Sequence, residues 1–285
     1  MVERVTIYEM SPRDGLQNEA RAIATADKVA LVDMLSDCGF SHIETSSFVS
    51  PERVPQMADG AAVLAGITRK PGVVYAALAP NMTGYAAARA AAADEVAIFG
   101  SASESFSQKN INCSIEQSLA RFAPVAEAAA ADGVSLRGYV SCVTDCPFEG
   151  GIAPDAVAGV AERLFGLGCR EVSLGDTIGH GTPQSISRML AAVLEVAPAA
   201  GLAGHFHDTR GRAVENVETA LSLGLRVFDA SCGGLGGCPF APGAAGNVAT
   251  EVLAARLADL GFETGLDMER LRAAAGFAKS LREAA

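Results

Sequence analysis

Two histidines separated by a single residue are the strongest sign of chemistry in this chain. His205 and His207 flank Phe206 within an apolar run. Residues i and i+2 of a β-strand point to the same face, so both imidazoles can face one cavity while Phe206 packs on the opposite side. Two imidazoles on one face form half of a metal site, although two hydrogen-bonded structural histidines give the same pattern. The chain has four histidines in all, and we therefore favour the metal site.

Two further polar residues, Asp14 and Asn247, could complete such a site, and Arg13 lies next to one of them. Asp14 offers a carboxylate, but an Asp before Gly15 is also typical of a turn. Asn247 precedes an apolar helical pattern, where it is either the N-cap or an oxygen ligand. Arg13 stands beside Asp14 and could bind an oxyanion or a carboxylate, because a guanidinium suits planar, bidentate recognition.

A glycine-rich segment, GGLGGCP at residues 233–239, carries one cysteine. So many glycines make a poor core and favour a lid. Cys238 would then be an accessible, reactive thiol, and burial, the commoner fate of a free cysteine, is the alternative. The chain has seven cysteines, an odd number in a long sequence. No disulfide framework is indicated, and we expect a reducing compartment, the cytoplasm.

The elements that must position these residues alternate along the chain. Short β-branched runs predict eight strands, at residues 5–10, 42–45, 73–78, 95–99, 135–140, 171–174, 202–207 and 227–231. Ala- and Leu-rich runs predict helices at residues 26–37, 55–64, 81–92, 114–131, 155–167, 183–196, 212–223 and 248–260. Thr182 followed by Pro183 is typical of a helix start. Gly39, Gly168 and Gly224 each lie where a helix ends just before a strand.

Strands that alternate with helices pair in parallel through crossover connections. Eight such units predict a (β/α)8 TIM barrel, and residues 267–285 predict an extra C-terminal helix. An open, doubly wound sheet is the rival fold, but no G-x-G-x-x-G follows the first strand. No segment rich in Pro, Gly or Ser divides the chain, so we expect one domain over residues 1–285. In such a barrel the chemistry lies at the C-terminal ends of the strands, where Asp14, His205 and His207 fall.

Composition excludes several classes of partner. With 22 Lys and Arg against 33 Asp and Glu, the 285 residues carry a formal net charge of −11. Binding to nucleic acid or to anionic membranes depends on clustered positive charge, so we expect neither. Hydrophobic residues make up 49% of the chain and charged residues 19%, which rules out a disordered protein. No apolar run stays free of charge over the ~20 residues that a membrane span needs.

Seven blocks of sequence carry a family resemblance. They are SPRDGLQNE at 11–19, IETSSFVSPERVPQMAD at 43–59, SASESFSQKNINCSIEQS at 101–118, RGYVSC at 137–142, SLGDTIG at 173–179, HFHDT at 205–209 and GLGGCPFAPGAAGNVATE at 234–251. In this order, and over nearly the whole chain, they closely resemble the motifs of the 3-hydroxy-3-methylglutaryl-CoA lyases. The RDGLQNE opening together with the GGCP loop is highly specific. The chain is therefore identified as a member of this family, which belongs to the metal-dependent lyases and Claisen-type synthases.

The resemblance implies a metal-dependent enzyme. The residues that match the family's ligands for a divalent cation, usually Mg²⁺ or Mn²⁺, are Asp14, His205, His207 and Asn247. A mixed nitrogen and oxygen set suits an octahedral, hard or borderline cation. The implied reaction is retro-Claisen cleavage of 3-hydroxy-3-methylglutaryl-CoA into acetyl-CoA and acetoacetate, as in leucine degradation. The implied partners are an acyl-CoA substrate and further copies of the chain, in a dimer or a larger homo-oligomer.

The resemblance also implies roles for residues that do not bind the metal. Arg13 matches the arginine that holds the acyl oxygen and stabilises the enolate, and Cys238 matches a loop cysteine required for catalysis. Glu44 and Asp176 match acidic residues that support the catalytic site. Lys109 is a candidate contact for the phosphates of CoA, and a solvated loop lysine is the alternative.

Departures from the family pattern leave the acyl group open. Arg210 follows HFHDT where the family often has Tyr, and Phe240 and Pro242 stand where Tyr and Gln are frequent. The alternatives are a lyase for another 3-hydroxy-3-alkylglutaryl-CoA or for citramalyl-CoA, and a metal-dependent aldolase that uses no CoA. A non-catalytic barrel is disfavoured, because residues such as Arg13 and Cys238 are dispensable for folding.

Overall fold

Eight parallel strands close into a barrel. The computed structural model describes residues 2–237 and 246–283. Its strands are β1 (Thr6–Glu9), β2 (His42–Ser47), β3 (Val74–Leu78), β4 (Glu95–Ser101), β5 (Ser135–Ser141), β6 (Asp145–Cys146), β7 (Gly150–Gly151), β8 (Glu171–Asp176), β9 (Leu202–Phe206) and β10 (Val227–Ala230). All but β6 and β7 form the barrel, in the order β1, β2, β3, β4, β5, β8, β9, β10, and β10 pairs with β1. This confirms the predicted (β/α)8 barrel.

Helices connect the barrel strands. They are α1 (Thr25–Ser36), α2 (Gly60–Gly66), α3 (Met82–Ala90), α4 (Glu104–Ile111), α5 (Ile115–Asp132), α6 (Pro154–Gly166), α7 (Pro183–Val193), α8 (Ala213–Ser222), α9 (Thr250–Asp259) and α10 (Met268–Glu283). The helix predicted at residues 55–64 is instead a 3-10 turn, Pro55–Met57, followed by α2. The short helix α4 and the antiparallel hairpin of β6 and β7 fall in segments for which the sequence predicted no element.

The two faces of each barrel strand have different surroundings. On β9, Phe206 joins the large apolar cluster between the strands and the surrounding helices, as predicted, and His205 alternates with it into the barrel. On β5, Val140 packs outward while Arg137 and Tyr139 share the inner face. Because strand residues alternate, the outer face packs against the helices, while the inner face holds Arg137, His205 and Tyr139 together with a smaller apolar cluster that includes Met10 and Leu78.

The ends of helices and the chain terminus follow the predictions. Thr182 caps α7, since its side chain accepts a hydrogen bond from the Ser185 amide. Gly39 and Gly168 both have φ of +98°, the left-handed conformation that glycine adopts at a helix end. The helix α10 packs on the barrel, with Leu271 and Ala278 buried. In the residues that the structure describes, no helix is long and apolar enough to cross a membrane.

Candidate active site

Three candidate ligands meet at the C-terminal mouth of the barrel. Asp14 lies in a π-helical turn, Ser11–Gly15, that follows β1, His205 lies on β9, and His207 directly follows β9. One ligand atom from each side chain lies within 4.8 Å of the others. The Nε2 atom of His205 is 3.2 Å from Nε2 of His207 and 3.8 Å from Oδ2 of Asp14. The two histidines therefore share one face, as their spacing predicted.

Asn247 completes this group from the segment before α9. Its backbone pairs with His207 in an isolated antiparallel bridge. Its Nδ2 donates to Oδ2 of Asp14 at 2.8 Å and to the carbonyl of Leu235 at 3.2 Å. Its Oδ1 is buried and accepts no hydrogen bond from the described residues. Because α9 begins at Thr250, Asn247 is not the N-cap of that helix.

The donor set fits a divalent cation. It offers two imidazoles, one carboxylate and one amide oxygen that lacks a hydrogen bond, and such a mixed nitrogen and oxygen set can bind a divalent cation. Burial opposes ionisation of Asp14, but the charges of Arg13, His205 and His207 outweigh it and lower the pKa to about 2. Burial and the charge of His205 lower the pKa of His207 to about 4. At neutral pH the carboxylate is therefore ionised and the His207 ring is neutral, as metal binding requires.

Arg13 lies beside the ligand group and is held by two acids. Its Nε donates to Oε2 of Glu44 and its Nη1 donates to Oδ1 of Asp14. The Tyr139 hydroxyl donates to Oε1 of Glu44 at 3.1 Å. Burial raises the pKa of Glu44, against the opposing charge of Arg13. The predicted residue Glu44 thus orients Arg13 through this hydrogen bond, and Tyr139 in turn orients Glu44.

A second group of polar side chains, not predicted from sequence, lies inside the barrel. Arg137 donates from Nη2 to Oδ1 of Asp229 at 2.7 Å and from Nη1 to Oδ2 at 3.1 Å. The ring of His205 places Nδ1 3.0 Å from Oδ2 of Asp229. Asp229 and Arg137 are fully buried. Strand alternation puts Arg137 on the same face of β5 as Tyr139, but it does not show that Arg137 contacts Asp229.

Asp176 has different hydrogen-bond partners from the candidate metal ligands. It ends β8, and its Oδ1 accepts a hydrogen bond from the Thr144 hydroxyl at 2.9 Å. Its Oδ2 accepts from the Gly181 amide at 2.8 Å. Burial raises its pKa. Its two oxygens therefore join the loops that follow β5 and β8.

A large cavity opens at the mouth of the barrel. Its volume is about 810 Å³, within the range of pockets that enclose a small-molecule ligand. The candidate active-site residues that line it are Arg13, Asp14, Tyr139, His205 and His207. Two exposed cations, Arg53 and Arg121, also line it, with Asn110 and Asn112. Lys109 is exposed on α4, next to Asn110, and is not among the lining residues of this cavity.

The predicted catalytic cysteine, Cys238, lies outside the described residues, as do Phe240 and Pro242. The described residue before it, Gly237, lines the cavity, and the carbonyl of Gly237 accepts a hydrogen bond from Asn18 at 3.0 Å. Arg210 is exposed, with Nη2 3.4 Å from Nε2 of His180.

The fold and the site define a TIM-barrel protein with a candidate cation site at its mouth, and comparison with known proteins gives the family. The HMGL-like family model matches residues 4–277. The Bos taurus protein named hydroxymethylglutaryl-CoA lyase, mitochondrial, is 55% identical over 96% of this chain and 85% of its own length. The Pseudomonas aeruginosa 3-hydroxy-3-isohexenylglutaryl-CoA/hydroxy-methylglutaryl-CoA lyase is 54% identical over 94% of this chain and 90% of its own. The crystal structure of the HMG-CoA lyase from Brucella melitensis shares 60% identity and a TM-score of 0.98 over 99% of both chains.

This chain belongs to the HMGL-like family, which confirms the resemblance drawn from its motifs. The match spans nearly all of the chain and includes every candidate ligand.

Proposed function

We propose that this protein is a carbon–carbon lyase that cleaves 3-hydroxy-3-methylglutaryl-CoA into acetyl-CoA and acetoacetate with a divalent cation. The observation that carries the proposal is the group of Asp14, His205 and His207 beside Arg13, at the mouth of a large cavity. Relatives that share 54% to 60% identity over nearly the whole chain are named for this reaction. These products would suit a role in acyl-CoA degradation, such as that of leucine.

Asp14, His205, His207 and Asn247 would hold the cation, Mg²⁺ or Mn²⁺. The unpaired, buried Oδ1 of Asn247 supports its role as the fourth protein ligand. When bound, a divalent cation supplies positive charge that makes a coordinated hydroxyl more acidic. The remaining chemistry falls to side chains of this chain.

The first task is to remove the proton from the C3 hydroxyl of the substrate. His205 or Asp14 would accept it, as general bases that line the cavity. A His205 ring that gives Nε2 to the cation and keeps its proton on Nδ1 has no lone pair left. Asp14, an ionised carboxylate with a pKa of about 2, keeps free lone pairs and is the acceptor compatible with His205 as a ligand.

The second task is to stabilise the negative charge that develops on the thioester oxygen. Arg13 would do so, because a fixed cation aimed at a developing enolate is an effective form of transition-state stabilisation. Its Nε and Nη1 are held by Glu44 and Asp14, and its Nη2 donates to no side chain in the described part of the chain. That nitrogen remains available to the substrate. Cys238, the loop cysteine that the family resemblance implies for catalysis, would protonate the acetyl-CoA enolate.

The shape and charge of the cavity support an acyl-CoA as substrate. Arg53 and Arg121 add positive charge to a cavity in an otherwise acidic protein, where phosphates of CoA could bind. Lys109, exposed beside the cavity, remains a candidate for the same task. We further propose that residues 1–285 act as one domain in a homo-oligomer.

The cysteines support a reducing compartment. The structure describes six of the seven cysteines, and all six are free and buried. We propose the cytoplasm, although the bovine relative is named as mitochondrial.

The acyl group has a second candidate. The Pseudomonas aeruginosa relative is named for both 3-hydroxy-3-isohexenylglutaryl-CoA and hydroxymethylglutaryl-CoA. A lyase for a 3-hydroxy-3-alkylglutaryl-CoA with a longer alkyl group is therefore the alternative for this chain. Citramalyl-CoA is a third substrate to test.

A cleavage assay tests the proposal. The purified protein is incubated with Mg²⁺ and each of the three thioesters in turn, and the keto acid and acetyl-CoA are quantified, with a chelator as the control. Chelator-sensitive release of acetoacetate, faster than cleavage of the other two thioesters, is expected. Folded, metal-loaded protein that cleaves none of them would contradict a lyase and favour an aldolase or a non-catalytic barrel.

A further inference from the structure

We propose that Asp229, held in place by Arg137, positions His205 by keeping its ring proton on Nδ1 and its Nε2 lone pair free for the cation that Asp14, His205 and His207 would share. The proposal deepens the proposed function and rests on the metal site that it includes. Asp229 touches no substrate or metal in this scheme, and it acts only through His205.

The register of the barrel brings the two residues together. Asp229 and His205 are direct Cα partners on the neighbouring parallel strands β10 and β9. Nδ1 of His205 is 3.0 Å from Oδ2 of Asp229, while Nε2 is 3.2 Å from Nε2 of His207. An ionised carboxylate only accepts hydrogen bonds. The neutral ring therefore carries its proton on Nδ1, and Nε2 keeps the lone pair that a metal ion requires.

Asp229 cannot turn away from the histidine. Both of its oxygens accept from Arg137, and Oδ2 also accepts from the Ser173 hydroxyl at 2.7 Å. With His205, these donors make four contacts to the two oxygens, close to the number that a carboxylate can accept. Asp229 is 1% exposed, so water does not compete for these contacts.

Arg137 is itself fixed on every side. Its guanidinium carbon lies 4.1 Å from the centre of the Tyr8 ring and 4.9 Å from that of Tyr139. Its Nε donates to Oε1 of Glu171 at 2.8 Å, and the residue has no exposed surface. A bidentate pair with a clamped guanidinium fixes both the position and the plane of the Asp229 carboxylate.

A purely structural ion pair is the alternative explanation for Asp229. Glu95 offers the matched control, because it is also a fully buried carboxylate of the barrel interior. It accepts from Tyr8 at 2.8 Å, Ser135 at 2.7 Å and Arg170 at 3.1 Å. None of these donors is a candidate metal ligand. Replacing either carboxylate by the isosteric amide removes a buried charge, but only the change at Asp229 alters a contact with His205.

The experiment compares Asp229→Asn with Glu95→Gln in the full chain. Nitrogen-15 NMR of the histidine rings in metal-free protein, at a pH where the rings are neutral, identifies the protonated nitrogen of His205, with the signal assigned from His205→Gln. The wild type and Glu95→Gln are expected to show His205 with its proton on Nδ1. Asp229→Asn is expected to lose this single tautomer. Mn²⁺ titration of the same proteins should show about 10- to 100-fold weaker binding for Asp229→Asn, and no change for Glu95→Gln.

Two results would overturn the proposal. One is a wild-type spectrum with the His205 proton on Nε2, which decides the question even if Asp229→Asn does not fold. The other is a folded Asp229→Asn protein with the wild-type tautomer and wild-type Mn²⁺ affinity. Neither readout uses cleavage of a thioester, so failure of this proposal is distinguishable from failure of the proposed lyase activity.

Discussion

The deep interior of the barrel and its C-terminal mouth differ in how completely their polar groups are paired. In the interior, the Tyr8 hydroxyl donates to Glu95, and Arg137 donates to Glu171, Tyr139 and Asp229. At the mouth, several residues near the strand ends bury a side-chain oxygen that has no hydrogen-bond partner among the described residues: Ser11, Ser47, Ser231 and Asn247.

This difference separates stability from function. Buried polar groups in proteins are nearly always hydrogen-bonded, and an unpaired one calls for an explanation. The interior network satisfies its own charges and therefore holds a single arrangement. Of the unpaired oxygens at the mouth, Oδ1 of Asn247 lies beside the candidate ligands, as an oxygen that binds a cation must. His205 belongs to both regions, because Nδ1 faces the network and Nε2 faces the mouth.

Removing the central cation of the interior should have the largest effect on stability. Arg137→Met leaves the carboxylates of Asp229 and Glu171 without their shared partner, and breaking a buried pair in this way costs about 3–5 kcal/mol. Urea unfolding of the variant measures the loss. Arg163→Met is the control, because its pair with Glu116 is exposed and should contribute little. Equal stability of the two variants would contradict the view that the interior network carries stability.

A substitution at the mouth should reduce metal binding and cleavage more than stability. His207→Gln removes a candidate metal ligand whose ring is neutral at pH 7, since its pKa is about 4. We expect Mn²⁺ affinity and cleavage to fall by more than the roughly 10- to 100-fold typical of a residue that only orients a ligand. Its free energy of unfolding without metal should fall less than that of Arg137→Met. Calorimetric titration and urea unfolding check the two parts, and unchanged Mn²⁺ affinity would remove His207 from the ligand set.

The same division explains what the sequence could predict. The strands and most helices follow from local patterns, such as the Thr182–Pro183 helix start and the glycines at helix ends. The candidate ligands follow from strand alternation around Phe206 and from the family motifs. Asp14 and Arg13 were candidates from their residue types and Glu44 from the resemblance, and the structure brings the three into contact.

The interior network could not be predicted in this way. Arg137 and Asp229 are 92 residues apart, and their contact depends on the closure and register of the whole barrel. A buried Arg and a buried Asp also carry no local sequence signal that separates them from surface residues. The resemblance predicted a supporting role for Asp176, but not its hydrogen bond from Thr144, which lies on another loop. Lys109 stays a prediction, since its exposure does not test contact with CoA.

A smaller effect is expected at Asn247, which should contribute both to stability and to metal binding. Asn247→Ala loses the hydrogen bonds that its side-chain amide donates to Asp14 and Leu235, which should lower the free energy of unfolding by about 1–2 kcal/mol. It should also weaken Mn²⁺ binding, by about tenfold, because Oδ1 is lost as a ligand. Asn216→Ala is the matched control, since Asn216 also buries an unpaired Oδ1 and donates from Nδ2, to Gly181. Equal effects of both variants on Mn²⁺ affinity would show that the unpaired oxygen of Asn247 is not a ligand.

The smallest expected effect is a pH dependence of stability that comes from Glu95, at the start of β4. Burial opposes ionisation of Glu95, but the Ser135 hydrogen bond and the charges of Arg137 and Arg170 outweigh it and lower its pKa below the ordinary 4.5. A carboxyl whose pKa is lowered by folding stabilises the protein above its unfolded pKa, and this contribution disappears as the pH falls through the folded pKa. The wild type should therefore exceed Glu95→Gln in stability most at pH 7, and the gap should narrow below pH 4.5. Unfolding curves of both proteins between neutral and acid pH measure the gap, and a gap that widens in acid would show that the interior does not favour the ionised carboxylate.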